Sequence, residues 1–319
     1  MESKSNMKKV IILLGPTGVG KTGASILLAG ALDTEIISAD SMQIYRGMDI
    51  GTAKPSKEER SLIKHHMIDI VSPSESYSTG QYVETVAPII ERIHNDGKIP
   101  LIVGGTGLYL KAITRGLFSG PSADWTLRDE LLSAEQEEKG SLYSYLLKID
   151  PDTANKIEKN DIRRIVRAIE VCLKSREKMS YLQTKLTRPL PYEFIKIGLT
   201  RERKELYGII EKRVDKMFRE GLIEEVKAVL SMNPDKTPLQ AIGYKELAIY
   251  LNGEITEEEA VSLVKRNTKR YAKRQFTWFK KEEAIEWIDI TGIFDSVDII
   301  DAIKDVLEKS HPENLKALA

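Results

Sequence analysis

The sequence is poor in the residues that build disulfide frameworks and zinc sites. Its 319 residues include one cysteine, Cys172, and four histidines. A single cysteine cannot pair within the chain, and this composition leaves no zinc-finger spacing. We therefore exclude a disulfide-stabilised secreted scaffold and a zinc finger, and we expect a protein of the reducing cytoplasm.

The sequence also lacks a long apolar run and a net charge. The first nine residues are polar, and the apolar run 10–14 is too short for a signal-peptide core or a membrane span. The 48 Lys and Arg residues balance 48 Asp and Glu residues, so any polyanion must be bound by a local basic cluster. We expect no membrane partner.

Short apolar runs alternate with helical patterns over the first 120 residues. The runs typical of buried strands are 10–14, 35–40 and 99–103, and apolar residues recur at helical spacing in 24–32 and 79–95. Strands and helices in this order predict an α/β fold, a P-loop NTPase-like three-layer core with a parallel sheet.

Helical patterns dominate the rest of the chain. Between 121 and 193 the helices expected are 127–149, 154–157 and 162–173. Strands are expected again at 194–199 and 284–290, with helices between them at 202–219, 222–230, 239–251 and 257–281. We predict a first part of the core at 1–120, a helical insertion domain at 121–193 and a second part of the core at 194–319.

A complete phosphate-binding pattern stands between the first strand and the first helix. Its eight residues are Gly15, Pro16, Thr17, Gly18, Val19, Gly20, Lys21 and Thr22. The glycines let successive backbone N–H groups point into one concavity, Lys21 reaches the outer phosphate, and the Thr22 hydroxyl suits Mg²⁺. The pattern predicts binding of a diphosphate or triphosphate, with Mg²⁺ as the cofactor.

The motifs of nucleotide hydrolysis do not accompany this loop. The string 155–158 is the nearest to the base-reading motif of GTPases, but it ends in the wrong residue. In an ATPase a strand-terminal Asp is normally followed by a catalytic Glu, whereas Asp40 is followed by Ser41. The sequence therefore argues against a GTPase or an ATPase.

Several segments resemble, in order, the signatures of the bacterial tRNA isopentenyltransferase family. They are SADSMQIYRGMDIGTAKP (38–55), GGTGLY (104–109), DIRRIVRAIE (161–170), AIGYKE (241–246) and TKRYAKRQFTWF (268–279). The resemblance implies transfer of a dimethylallyl group from dimethylallyl diphosphate to N6 of the adenine 3′ of the anticodon in tRNA, with Mg²⁺. It also implies that the helix 161–170 contacts tRNA, although Arg163 stands where many relatives carry Gln.

Four residues are candidates for the chemistry. Asp40 ends a strand beside the phosphate loop, at the sheet edge where ligands collect, and suits a base that removes the N6 proton. The alternative for Asp40 is an outer ligand of Mg²⁺. Lys21 stabilises the leaving diphosphate, and Thr17 bonds its bridging oxygen or is a simple loop hydroxyl. The resemblance implies that Arg213 reaches over the diphosphate; a solvated helix face is the alternative.

The target adenine must reach a buried site, so we expect it to be flipped into a tunnel, with the diphosphate entering from the opposite end. Gln43 can pair bidentately with adenine. Thr106 and its flanking glycines line the tunnel in this interpretation. The residues assigned to tRNA in this region are Asp40, Ser41, Met42, Gln43 and Thr106.

Basic clusters supply the expected contacts with the rest of the tRNA anticodon stem-loop. Residues 265–281 contain eight basic residues and no acidic one, and Arg266, Arg270 and Arg274 form one helical ridge. In the insertion, the residues assigned to tRNA are Arg128, Arg163, Arg164 and Arg167. The cluster His65, His66 and Asp69 is interpreted as structural rather than as a metal site.

Three other functions stay open from the sequence. A P-loop small-molecule kinase would need an arginine-rich lid, which the helix containing Arg163, Arg164 and Arg167 could imitate. An adenylate isopentenyltransferase would prenylate AMP or ADP, and only the segments facing tRNA argue against it. A non-catalytic RNA-binding P-loop protein is the third. For the tRNA isopentenyltransferase that the motifs resemble, we expect a monomer.

Overall fold

The structure is a computed structural model that describes residues 7–118 and 120–310. Most of the polar N-terminal segment noted above therefore lies outside the described residues. The chain divides into two compact units. The larger unit contains the residues up to Leu110 and those from Pro191 onward, and the smaller unit is Lys111–Leu190. The smaller unit overlaps the helical insertion that we predicted at 121–193.

The larger unit is built on one six-stranded parallel sheet, which confirms the predicted α/β class. The strand order is β3-β2-β4-β1-β5-β6. The strands are β1 (Lys9–Leu14), β2 (Ile36–Ala39), β3 (His65–His66), β4 (Leu101–Gly104), β5 (Glu193–Thr200) and β6 (Ile285–Asp289). Strand β1 lies inside the sheet, and its residues 10–13 are completely buried. Its continuous apolar run suits this position because helices cover both faces of such a sheet.

Helices connect the strands. Those of the larger unit are α1 (Lys21–Ala31), α2 (Lys57–Leu62), α3 (Thr79–Asn95), α10 (Arg203–Arg219), α11 (Leu222–Ser231), α12 (Tyr244–Leu251), α13 (Glu257–Phe279) and α14 (Ser296–Ser310). Helix α4 (Gly107–Thr114) follows β4. The long helix α13 begins in a capping box formed by Thr256 and Glu259, which fixes its N-terminus.

The smaller unit is helical. Its helices are α5 (Trp125–Glu137), α6 (Ser141–Ile149), α7 (Pro151–Ala154), α8 (Ile162–Ser175) and α9 (Met179–Leu186). Its core joins Leu142, Leu146 and Ala154 to the buried face of α8. Among the described residues, no helix is long and apolar enough to cross a membrane.

Three predicted helices were wrong in extent, and glycines explain two of them. The helix predicted at 127–149 is divided into α5 and α6, because Gly140 adopts a φ of 87°. The helix predicted at 239–251 begins only at Tyr244, since Gly243 has a φ of 98° and a short 3₁₀ turn, Pro238–Gln240, precedes it. The helix predicted at 154–157 corresponds to α7, which ends at Ala154. Helices α2, α4, α9 and α14 and the two-residue strand β3 were not predicted.

Candidate active site

The phosphate loop runs from the carboxyl end of β1 into α1. Lys21 Nζ donates hydrogen bonds to the carbonyl oxygens of Gly15 at 2.8 Å and Pro16 at 2.9 Å. Burial lowers the pKa of Lys21 to about 8, while the nearby carboxylate of Asp40 acts in the opposite direction. The ammonium is thus held within the loop, close to the place where a phosphate would bind.

Asp40 follows β2 and lies at the same edge of the sheet. Its Oδ1 accepts the backbone N–H groups of Met42 at 2.8 Å and Gln43 at 3.3 Å. No hydrogen bond from a described residue reaches its Oδ2, which is therefore the oxygen available to a substrate. The loop after β4 comes alongside, because the Ser41 N–H donates to Thr106 Oγ1 at 3.0 Å.

Arg213 reaches the phosphate loop from α10. Its Nη1 donates a hydrogen bond to Thr17 Oγ1 at 3.3 Å. Burial lowers the pKa of the guanidinium, and the Asp40 carboxylate opposes this effect. The neighbouring Lys212 and Lys216 are exposed, so Arg213 differs from the rest of the basic face of its helix.

Two cavities meet at these residues. The first, of about 260 Å³, has a largely apolar wall that includes Met42, Ile210, Val214, Met217, Leu222 and Val264. The second, of about 330 Å³, contains the phosphate loop from Thr17 to Thr22. Both cavities are lined by Thr17, Asp40, Thr52, Arg213 and Tyr271. We call these five residues the waist. A group that enters one cavity and a group held in the other cavity would meet at these residues.

Sequence reasoning missed two residues of the waist and two that brace the loop. Thr52 and Tyr271 were not proposed as site residues. Burial raises the pKa of the Tyr271 hydroxyl. Gln275 bonds the loop at Thr17, and Arg201 Nε donates to the Val19 carbonyl at 3.0 Å. Tyr271 and Gln275 are four residues apart on α13, and this spacing was the signal available in the sequence.

Gln43 lies in the wall of the cavity that contains the phosphate loop. Its Oε1 accepts a hydrogen bond from Ser38 Oγ at 3.1 Å, and its Nε2 donates to the carbonyls of Thr52 at 3.4 Å and Ala53 at 3.3 Å. The amide that we expected to read adenine is therefore used within the protein in this structure. Its contact with a base stays a prediction.

Glu225 of α11 binds the backbone of the signature segment 38–55. The Glu225 carboxylate accepts the backbone N–H groups of Asp49 at 2.8 Å, Ile50 at 2.7 Å and Gly51 at 2.9 Å. It also accepts the Tyr244 hydroxyl at 2.6 Å. Position 51 requires glycine, because a Cβ there would lie 2.5 Å from the Tyr244 ring. Glu225 thereby fixes the backbone that presents Thr52 to the waist.

Replacing Glu225 by Ala should destabilise the protein by about 1.5–3 kcal/mol, because three backbone donors lose a charged acceptor. The measurement is the free energy of unfolding in urea. Glu224 is the matched control: it is the exposed neighbour on the same helix, and its replacement by Ala should cost no more than about 0.5 kcal/mol. Equal stability of the two variants would contradict this account of Glu225.

The predicted basic residues differ in their surroundings. Arg266, Arg270 and Arg274 are exposed on α13. In the smaller unit Arg163 and Arg164 are exposed, and Arg164 lies 3.2 Å from Asp161.

Arg128 and Arg167 of the smaller unit are engaged in its fold. Both bind the carboxylate of Glu170, which is completely buried, and Arg128 Nη2 donates to it at 2.8 Å. A buried carboxylate requires such partners, so these two arginines stabilise the unit whether or not they also meet RNA.

The residues of the cluster His65, His66 and Asp69 all have partners within the protein, and His65 Nδ1 is hydrogen-bonded to the Ile63 carbonyl at 2.7 Å. Asp69 Oδ1 accepts Lys54 Nζ at 2.6 Å, and Asp69 Oδ2 accepts Arg60 Nη1 at 2.7 Å. His66 is bonded to Glu35.

A phosphate loop after the first strand, a carboxylate after the second and a waist between two cavities define a P-loop protein built to bring two substrates together. A family model described as IPP transferase matches residues 43–282. The chain is 56% identical over 314 residues to a tRNA dimethylallyltransferase of Thermodesulfovibrio yellowstonii, covering 95% of this chain and 99% of the relative. The chain belongs to the IPP transferase family, which confirms the resemblance predicted from the motifs.

Solved structures of similar proteins support the same family membership. The full-length tRNA isopentenylpyrophosphate transferase of Bacillus halodurans superposes with a TM-score of 0.72 at 42% identity, covering 97% of this chain and 98% of that one. A eukaryotic dimethylallyltransferase acting on tRNA gives a TM-score of 0.77 at 32% identity, covering 95% of this chain and 80% of that one. The architecture described above is therefore that of experimentally determined transferases.

Proposed function

We propose that this enzyme transfers the dimethylallyl group from dimethylallyl diphosphate to N6 of the adenine 3′ of the anticodon in tRNA. The observation that carries the proposal is the position of Asp40 at the waist, where the phosphate-loop cavity meets the apolar cavity. Membership of the IPP transferase family and the names of the similar proteins support the same substrates.

The reaction follows from the residues at the waist. The N6 nitrogen attacks the allylic carbon, the bond from that carbon to the diphosphate oxygen breaks, and the N6 proton passes to Asp40 Oδ2. Adenine N6 is a weak nucleophile because its lone pair is delocalised into the ring, so loss of this proton matters. Lys21, Arg213 and the loop N–H groups stabilise the charge that develops on the leaving diphosphate.

The residues present fit a magnesium ion. The Thr22 hydroxyl makes no hydrogen bond to another described residue and lines the same cavity as the carboxylate of Asp40. Oxygen ligands of this kind are those that Mg²⁺ prefers. Thr22 would hold the ion, which supplies charge neutralisation on the diphosphate when bound.

We infer a route for each substrate from the two cavities. The phosphate loop lies in the second cavity, so dimethylallyl diphosphate enters there. The first cavity has the apolar wall that suits a flat base flipped out of the anticodon loop. Thr52 and Tyr271 offer the base polar contacts near Asp40.

The deciding experiment is incubation with labelled dimethylallyl diphosphate and Mg²⁺, with unmodified tRNA or AMP as the acceptor. We expect label in tRNA and none in AMP, and no ATP hydrolysis stimulated by tRNA. Label in AMP would favour an adenylate isopentenyltransferase. Phosphoryl transfer from ATP would favour a small-molecule kinase, and tRNA binding without any transfer would favour a non-catalytic RNA-binding protein.

The exposed arginines of α13 are the proposed contact with RNA phosphates. Lys265 Nζ is paired with Asp215 at 2.5 Å and Lys269 is paired with Glu211, so acids on α10 already neutralise these two lysines. Arg266, Arg270 and Arg274 make no ion pair with a described residue. The ridge of three arginines, like the exposed Lys273 on the same helix, thus carries charge available for tRNA.

Changing Arg266, Arg270 and Arg274 together to Gln should weaken tRNA binding and flatten the salt dependence of log K by about one unit per lost phosphate contact. Donor affinity should not change. Titration of tRNA at several salt concentrations measures both quantities. The control is the double variant of Lys265 and Lys269 to Gln, which should change the slope less. A wild-type slope in the triple variant would contradict a role of the ridge in tRNA binding. It would indicate that Arg163 and Arg164 of the smaller unit bind the tRNA phosphates instead.

We also propose that the enzyme acts as a monomer in the cytoplasm, where its tRNA substrate is found. A chain whose only cysteine cannot form an internal disulfide suits that reducing compartment. Sedimentation analysis of the protein with and without tRNA tests the monomer.

A further inference from the structure

Thr17 is bound from outside the phosphate loop on two sides. Its backbone N–H donates to Gln275 Oε1 at 2.9 Å, and its hydroxyl oxygen accepts Arg213 Nη1 at 3.3 Å. In an ordinary phosphate loop, successive backbone N–H groups point into the anion-binding concavity. The Thr17 N–H is instead taken by a side chain of α13, which is remote in sequence.

The same Gln275 amide bonds the loop that follows β4. Its Nε2 donates to the Gly105 carbonyl at 2.9 Å, and the side chain is almost completely buried, with 7% exposure. A Cβ at position 105 would lie 2.3 Å from Gln275 Nε2, so a larger residue there would have to displace this amide. One buried amide, satisfied at both ends, therefore joins the loop after β1 to the loop after β4.

We infer that Gln275 is a positioning residue for prenyl transfer, and this inference rests on the proposed function. By holding the Thr17 N–H, it fixes the Thr17 peptide so that the hydroxyl faces Arg213 and the waist. Without this acceptor, the peptide is free to turn its N–H towards the phosphates, and the hydroxyl leaves the waist. Gln275 touches neither the reacting carbon nor N6, and acts through Thr17.

The first test variant is Gln275→Met, which keeps the length of the side chain and removes both hydrogen bonds. We expect the single-turnover rate of transfer to fall by roughly tenfold to 100-fold, as for a misplaced group in the active site. Affinity for inorganic diphosphate should stay close to that of the wild type, because Lys21 and the other loop amides are intact. Thr277→Ala is the control: Thr277 is exposed on the same helix, and this variant should keep the wild-type rate.

The second variant, Gln275→Glu, separates positioning from packing. An ionised carboxylate accepts the Thr17 N–H but repels the Gly105 carbonyl oxygen, whereas the neutral acid can both accept and donate. The ratio of the Gln275→Glu rate to the wild-type rate should therefore rise as pH is lowered. A residue that only fills space would give a ratio independent of pH.

Hydrogen exchange of the Thr17 amide gives a readout that does not depend on transfer. The amide should be protected in the wild type and in Thr277→Ala, and should exchange faster in Gln275→Met. Unchanged protection, or a wild-type transfer rate in a folded Gln275→Met protein, would overturn the inference. Failure of the wild type to prenylate tRNA would instead overturn the proposed function, and the exchange result would still decide the role of Gln275.

Discussion

Replacing Asp40 by Asn is expected to lower the rate of prenyl transfer by roughly 10²-fold or more, while the affinity for tRNA changes little. The amide keeps the shape of the side chain, but it cannot take the N6 proton. Single-turnover transfer with saturating donor and tRNA measures the effect. Asp33→Asn is the matched control, because Asp33 is 90% exposed at the end of α1 and remote from the cavities. A near-normal rate for Asp40→Asn would refute the assignment of Asp40 as the base.

Replacing Lys21 by Ala should weaken donor binding and slow transfer together, by roughly 10²-fold or more in the rate. The variant removes the buried positive charge beside the phosphate loop, and a leaving diphosphate gains most from that charge. Calorimetry with dimethylallyl diphosphate and the single-turnover rate measure the two effects. A rate and an affinity within a few-fold of the wild type would assign diphosphate binding to the loop amides and Arg213 alone.

The lowered pKa of Lys21 adds a dependence on pH. The protonated ammonium binds the diphosphate, and burial lowers its pKa to about 8, so donor affinity should fall as pH rises through that value. Bound diphosphate favours the charged form, and binding above the pKa should therefore take up protons. In Lys21→Arg the guanidinium stays charged, so the dependence over this range should disappear even if the affinity is lower.

The sheet and the phosphate loop could be predicted from the sequence because their signals are local. Strands β1 and β4 are continuous apolar runs, and the phosphate loop has a fixed residue spacing between β1 and α1. Strand β3 could not be predicted, since it has only two residues and both are histidines. A strand of this length carries no periodicity and exists because β2 offers it a partner.

The contacts that organise the site were beyond the sequence because they join distant residues. Glu225 lies 174 residues from Gly51, and no local pattern links them. The same holds for Gln275 and Thr17, which are 258 residues apart. In α13 the run of positive charge identified the outer face of the helix, whereas the uncharged Tyr271 and Gln275 on the inner face were marked only by their spacing of four residues.

The roles of the basic residues in the smaller unit were also hard to predict from the sequence. The sequence identifies an arginine but not its partner: it predicts that Arg128 and Arg167 contact tRNA, whereas in the structure both bind Glu170. Glu170 is the last residue of the segment 161–170 and lies three residues after Arg167. An acid at helical spacing from an arginine was the available hint that the pair is internal.

The only cysteine of the chain offers a natural labelling site. Cys172 lies on α8 of the smaller unit, so a thiol reagent would mark that unit and leave the phosphate loop and both cavities unmodified. Burial raises the pKa of its thiol, and the thiolate is the reactive form. Labelling should consequently be slow at neutral pH and accelerate in alkaline buffer, and a dye attached there would follow the smaller unit without any substitution in the protein.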